Sequence, residues 1–218
     1  MDKAQIINQI RETGIVPVIR AASEDEARKL IEAILAGGIS IFEVTMTVPN
    51  AVSLIKSLVA DFGDQAIIGA GTVLDTEMAQ NCLAAGAKFV VSPTLNLSVI
   101  ETCRREKVAV FPGALTPTEI VAAWQAGADA VKIFPANAVG GASYLKAIKA
   151  PLPNIELMPT GGVTLATIGD FIRAGAIAVG VGSDLADTKA ISAGEAEKVT
   201  QTARLYLEAV REARVSAA

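Results

Sequence analysis

The chain has 218 residues, 51% of them hydrophobic, and carries a formal charge of −4 with no histidine. Without a basic stretch, nucleic acid is an unsuitable partner, and no apolar run approaches the ~18 residues that a membrane span requires. The missing histidine excludes Ser-His-Asp triads, Cys-His pairs and His-bearing zinc sites, which leaves acid–base chemistry to Glu, Asp, Lys, Tyr, Cys or water.

In chain order, residues 2–13 read as a helix. The opening Met1-Asp2-Lys3-Ala4-Gln5 lacks the basic-then-apolar layout of a secretory signal, so a cytoplasmic location is expected. "GIVPVIR" is the first expected strand, followed by the amphipathic run "EDEARKLIEAIL" and then "LAGGISIFEV". That last pattern returns as "AAGAKFVVS" from residue 84, "QAGADAVKIF" from 125 and "RAGAIAVGVG" from 173. Each is a helix end, a glycine and an apolar strand, the arrangement produced by helix C-capping. The runs "AIIGAGT", "VAVFPG" and "IELMPTGG" fall between them, so expected strands and helices alternate, and residues 192–213 read as a closing helix. Cys82 and Cys103 fall in expected helices without metal-like spacing and read as reduced core thiols.

Short, near-continuous apolar strands separated by helices indicate a parallel sheet covered on both faces. Eight such units within this length predict a single-domain (β/α)8 TIM barrel over residues 1–218, with an extra N-terminal helix. A doubly wound open sheet is the alternative. "GAGTVL", however, is not the G-x-G-x-x-G of a dinucleotide fold, and no acidic residue follows at the matching distance.

Reacting groups in such barrels come from the C-terminal strand ends. Strand by strand, those ends hold Arg20, then Glu43 with Thr45 and Thr47, then Thr72, then Ser92, Pro93 and Thr94. The later ones hold Pro112 and Gly113, Lys132 and Phe134, Thr160 with Gly161 and Gly162, and Gly182 with Ser183 and Asp184. Arg20, Glu43 and Lys132 are charges on otherwise apolar strands. A buried structural ion pair would account for Glu43 and Lys132, although desolvation makes such pairs poor stabilisers. The chemical reading is that burial disfavours a charged amine. An uncharged lysine attacks a ketone to form an imine, an electron sink for the neighbouring carbon. Glu43 would then move protons as base and acid. The glycines of "PTGGVTLATIGDF" are expected directly before a helix, and with Gly182 and Ser183 they suggest a backbone N–H site for phosphate. Tight βα turns alone would also explain them.

The segments "GIVPVIR", "FEVTMTVPNA", "IIGAGTV", "FVVSPTL", "FPGALTPTE", "VKIFPA", "MPTGGV" and "GVGSDL" occur in this order over roughly residues 12–190. Together they resemble the 2-keto-3-deoxy-6-phosphogluconate (KDPG) and 4-hydroxy-2-oxoglutarate (KHG) aldolase family. The resemblance implies a class I, metal-independent aldolase, with no cofactor beyond the imine on Lys132 and with Glu43 as general acid and base. It implies that Thr72 helps hold the pyruvate carboxylate and that Pro93 and Phe134 wall the pocket. Gly161, Gly162 and Ser183 would face phosphate, and Thr160 and Gly182 are expected to bind substrate beside them. The partners it implies are a phosphorylated 2-keto acid, pyruvate and an aldehyde, in a homotrimer. Some members carry an arginine four residues beyond the glutamate, where this chain has Thr47. Others place one at the end of the first strand, so Arg20 is expected to take over the carboxylate. The implied reaction cleaves KDPG into pyruvate and glyceraldehyde 3-phosphate. The galactonate epimer, 4-hydroxy-2-oxoglutarate and a non-catalytic phosphosugar-binding barrel stand as alternatives.

Overall fold

The computed structural model describes residues 1–216; residues 217 and 218 of the expected domain lie outside the described residues. The strands are β1 (Ile15–Ile19), β2 (Ile41–Thr45), β3 (Ile67–Gly71), β4 (Phe89–Val91), β5 (Ala109–Phe111), β6 (Gly113–Ala114), β7 (Val131–Ile133), β8 (Leu157–Pro159) and β9 (Val179–Val181). All pairings are parallel, in the orders β5-β4-β3-β2-β1-β9 and β6-β7-β8. Parallel bridges Leu157↔Ala176 and Thr160↔Gly180 set β8 against β9. The fifth expected strand is in two pieces, β5 and β6, divided by Pro112. Proline has no N–H to give to a ladder, but its carbonyl still accepts from the Lys132 N–H at 2.8 Å.

Helices fill the connections: α1 (Lys3–Thr13), α2 (Glu24–Ala36), α3 (Ala51–Phe62), α4 (Thr76–Ala84), α5 (Leu97–Arg105), α6 (Pro117–Gln125), α7 (Ala142–Lys149), α8 (Ile168–Arg173), α9 (Thr188–Ser192) and α10 (Ala196–Val215). The closing helix expected over 192–213 is α10, which starts four residues later, and the short α9 precedes it. The two are separated at Gly194, whose φ of 79° is a conformation that glycine adopts without steric cost. Helix starts follow side-chain chemistry. Asp2 and Gln5 form a reciprocal capping box on α1, as do Thr116 and Glu119 on α6.

Period-2 alternation sorts the strand residues into two buried sets. Phe42, Val44, Ile68, Val90, Val131 and Val179 pack with helix residues such as Leu30, Ile31 and Leu54. Val16, Ile41, Ile67, Phe89, Phe111 and Met158 form an inner cluster, joined by Ile6 and Ile10 of α1. That helix therefore covers the end at which the strands begin. Large and small residues interlock inside. An added Cβ would lie 2.4 Å from the Phe89 ring at Gly69, 2.2 Å from Glu43 Oε1 at Gly71, and 2.2 Å from Thr160 Oγ1 at Gly180. These three positions are glycine for room.

Candidate active site

Glu43 and Lys132 lie two residues beyond Ile41 and Ala130 of the inner cluster, so alternation turns them to the same interior, nearer the strand ends. Glu43 is in register with Val18 and Gly69, and Lys132 with Gly113 and Met158. They are 0% and 2% exposed, and Lys132 Nζ stands 3.4 Å from Glu43 Oε1. The Phe134 ring centroid lies 5.3 Å from the same nitrogen. Two buried oxygens on this face, Glu43 Oε2 and Thr160 Oγ1, have no hydrogen-bond partner. An unsatisfied buried oxygen costs roughly 1–3 kcal/mol, a penalty that contact with a polar ligand removes.

The surrounding loops are held in place around this pair. Thr45 Oγ1 donates to the Ile19 carbonyl at 3.0 Å and lies 2.7 Å from Thr47 Oγ1, tying the ends of β1 and β2 together. Thr47 itself is exposed. Thr72 follows Gly71, which touches Glu43, and has a φ of 61°. A β-branched residue in the left-handed region is a strained conformation, and such strain clusters at ligand sites. A Cβ at Gly113 would meet the Pro93 carbonyl carbon at 2.3 Å, so Pro93 is pressed against the strand beside Lys132.

Above this lies a cavity of about 430 Å³ lined by Val18, Arg20, Phe134, Thr160, Gly161, Gly162, Val163, Thr164, Gly180, Gly182, Ser183 and Asp184. Phe134 belongs to its wall and also approaches Lys132, so the amine sits one side chain deeper. Arg20 is exposed at the rim, and no ion pair among the described residues involves it. The structure thus brings Arg20, Phe134, Thr160, Gly161, Gly162, Gly182 and Ser183 together; Thr47, Thr72 and Pro93 lie outside this wall.

One expectation is corrected. Gly161 and Gly162 do not directly precede a helix, because α8 begins at Ile168. Their φ values of 99° and 73° open a loop closed by Thr167 Oγ1, which donates to the Gly162 carbonyl at 2.9 Å. Likewise α9 starts at Thr188, after a turn in which the Ala186 N–H donates to the Gly182 carbonyl at 2.9 Å. The polarity there comes from glycine-loop amides and side chains, not from helix ends. The cysteines are buried, and burial pushes their thiols up to about 11 for Cys82 and about 12 for Cys103.

Sequence reasoning missed the spacing glycines Gly69, Gly71 and Gly180 and the wall residues Val163 and Thr164. Alternate glycines in "AIIGAGT" were the available signal for the first two. It also gave no role to Asp184, which accepts a hydrogen bond from Tyr206 of α10.

A buried amine and carboxylate, set beneath a cavity rimmed by an arginine and glycine loops, equip an α/β protein of parallel strands as a lysine-dependent aldolase. The sequence matches the family described as KDPG and KHG aldolase over residues 6–202, and the chain belongs to that family. It is 36% identical over 201 residues to the 2-dehydro-3-deoxy-6-phosphogalactonate aldolase of Escherichia coli (strain K12), covering 91% of this chain and 95% of that one. It is 33% identical over 205 residues to the 2-dehydro-3-deoxy-phosphogluconate aldolase of Treponema pallidum (strain Nichols), covering 94% and 97%. The structure of KDPG aldolase from Legionella pneumophila, with pyruvate captured at low pH as a covalent carbinolamine intermediate, superimposes with a TM-score of 0.84 at 30% identity, covering 91% and 96%.

Proposed function

We propose that this protein is a class I aldolase that cleaves KDPG into pyruvate and glyceraldehyde 3-phosphate, with Lys132 as nucleophile and Glu43 as proton carrier. The observation that carries the reading is the buried 3.4 Å contact between Lys132 Nζ and Glu43 Oε1, with Glu43 Oε2 left unpartnered. The Lys132 amine adds to the C2 ketone, and loss of water from the carbinolamine gives the imine. Glu43, directly or through water, removes the C4 hydroxyl proton. The C3–C4 bond breaks, its electrons pass into the imine, and the aldehyde leaves. Protonation of the enamine at C3 and hydrolysis return pyruvate and the free amine.

Arg20 supplies a positive charge for the substrate carboxylate where Thr47 supplies none, with Thr72 assisting and Pro93 walling the lysine's side. The loops at Gly161, Gly162, Gly182 and Ser183 take the phosphate. The scaffold is read as one domain, a closed (β/α)8 barrel with α1 as its extra helix; the two bridges between β8 and β9 and the continuity of β5 and β6 support that closure. A cytoplasmic homotrimer needing no metal completes the proposal, on the strength of the family resemblance.

The phosphogalactonate epimer is the second reading, favoured by the 36% identity to an aldolase of that name. Borohydride reduction with pyruvate, followed by peptide mapping, tests the chemistry: a stable adduct is expected on Lys132. Folded protein without an adduct would be a phosphosugar-binding barrel instead. Comparing kcat/KM on the two phosphorylated epimers assigns the substrate. Arg20→Ala is expected to weaken pyruvate binding, and unchanged affinity would remove Arg20 from the carboxylate site.

A further inference from the structure

We infer that Tyr206, a residue of the outer helix layer, is a positioning residue for the phosphate-binding turn and acts through Asp184. The inference rests on the reading of the cavity as the phosphate end of an aldolase site. Tyr206 is 0% exposed, and its hydroxyl donates to Asp184 Oδ2. A buried phenol needs a partner for its hydroxyl, whereas phenylalanine would pack there without that demand. Asp184 is exposed and lines the cavity directly after Ser183. The turn they share winds back on Gly182, whose carbonyl accepts from the Leu185 and Ala186 N–H groups at 3.1 and 2.9 Å.

The helix holding Tyr206 is a fixed platform. A Cβ at Gly37, after α2, would lie 2.5 Å from Ala203 Cβ, and Thr200 Oγ1 donates to the Ala33 carbonyl at 2.8 Å. Tyr206 sits three residues beyond Ala203 on that anchored stretch. Burial and the Asp184 carboxylate both push the phenol upward, so it stays a donor at all working pH values. Without that partner the exposed Asp184 carboxylate, and the turn that carries it, would be free to swing. The hydroxyl pins it to the helix side, which fixes the direction of the Ser183 side chain and amide.

The test compares Tyr206→Phe with wild type on phosphorylated and unphosphorylated 2-keto-3-deoxy acids, and on trapping of pyruvate by borohydride. The expected result is a KM for the phosphorylated substrate raised roughly tenfold, the scale of one hydrogen bond to a charged group. The kcat, the unphosphorylated substrate and the Lys132 adduct should be unaffected. Equal changes on both substrates, or none, overturn the inference. Should Tyr206→Phe not fold, Asp184→Ala removes the acceptor from the exposed rim. The same selective rise in KM supports positioning, whereas a lower or unchanged KM refutes it. If wild type forms no pyruvate adduct, the aldolase reading itself fails; if wild type traps pyruvate and the variants match it on both substrates, only this inference falls.

Discussion

Gly71→Ala isolates the placement of the Glu43 carboxylate. Gly71 is the last residue of β3 and has no positive φ to protect, so alanine meets no backbone objection. The conflict is purely steric, because the new methyl would lie 2.2 Å from Glu43 Oε1 and 2.5 Å from its Cγ. Ordinary carbon–oxygen contact begins near 3.4 Å, so Glu43 must retreat by about 1 Å. Overpacking of this kind costs roughly 1–3 kcal/mol of stability. A reacting group misplaced by about 1 Å loses on the order of 100-fold in rate. We expect a folded variant with a lowered melting temperature and kcat reduced by roughly two orders of magnitude, read as pyruvate release in a coupled dehydrogenase assay. Pyruvate should still be trapped on Lys132, only more slowly. A variant with wild-type kcat and intact folding would refute the dependence of the rate on where the Glu43 carboxylate sits.

Lys132→Met leaves Glu43 buried without its cation and should cost about 3–5 kcal/mol in urea unfolding, most of it recovered in Lys132→Met/Glu43→Gln; no recovery would mean that packing, not charge, dominates. Thr72→Gly relieves the left-handed threonine and should add roughly 0.5–1 kcal/mol of stability while raising KM for the keto acid. A loss of stability would deny the strain. The thiols give a pH signature: both are pushed above their ordinary 9.0, to about 11 and about 12. Between those limits the folded state holds more protons than the unfolded one, so stability is full below pH 9 and falls as pH rises further. Urea midpoints at pH 8 and pH 10 should differ by less in a Cys82→Ala/Cys103→Ala variant; an identical difference would place the alkaline loss elsewhere.

The strand–helix alternation was legible because it depends on local signals. Helix-ending glycines and runs such as "FVV" and "VKI" declare themselves within a few residues. Lys132 and Glu43 were legible for the opposite reason, since a charge inside an apolar strand violates its surroundings. What the sequence concealed were relations between strands. Nothing near Gly71 says that Glu43 fills its space, because the two sit on neighbouring strands whose register only the folded pairing defines. The five residues between Gly162 and Ile168 read as a helix start, since "TLATIGDF" has helical spacing, yet the Thr164–Thr167 hydrogen bonds hold that stretch as a loop. The link from Tyr206 to Asp184 spans 22 residues, and no motif announces it.

With Ile6 and Ile10 seated among the inner side chains, α1 closes the end at which the strands begin and leaves the cavity beside their other ends as a corridor. In the mechanism proposed above, the pyruvate half stays bonded to Lys132 while the cavity loops take the phosphorylated half. On that mechanism the aldehyde departs first, because pyruvate is released only after imine hydrolysis. In the synthetic direction the same corridor must be loaded in reverse, pyruvate ahead of its acceptor. The covalent bond to Lys132 sets that order in the proposed mechanism, and α1 backs the closed end of the interior.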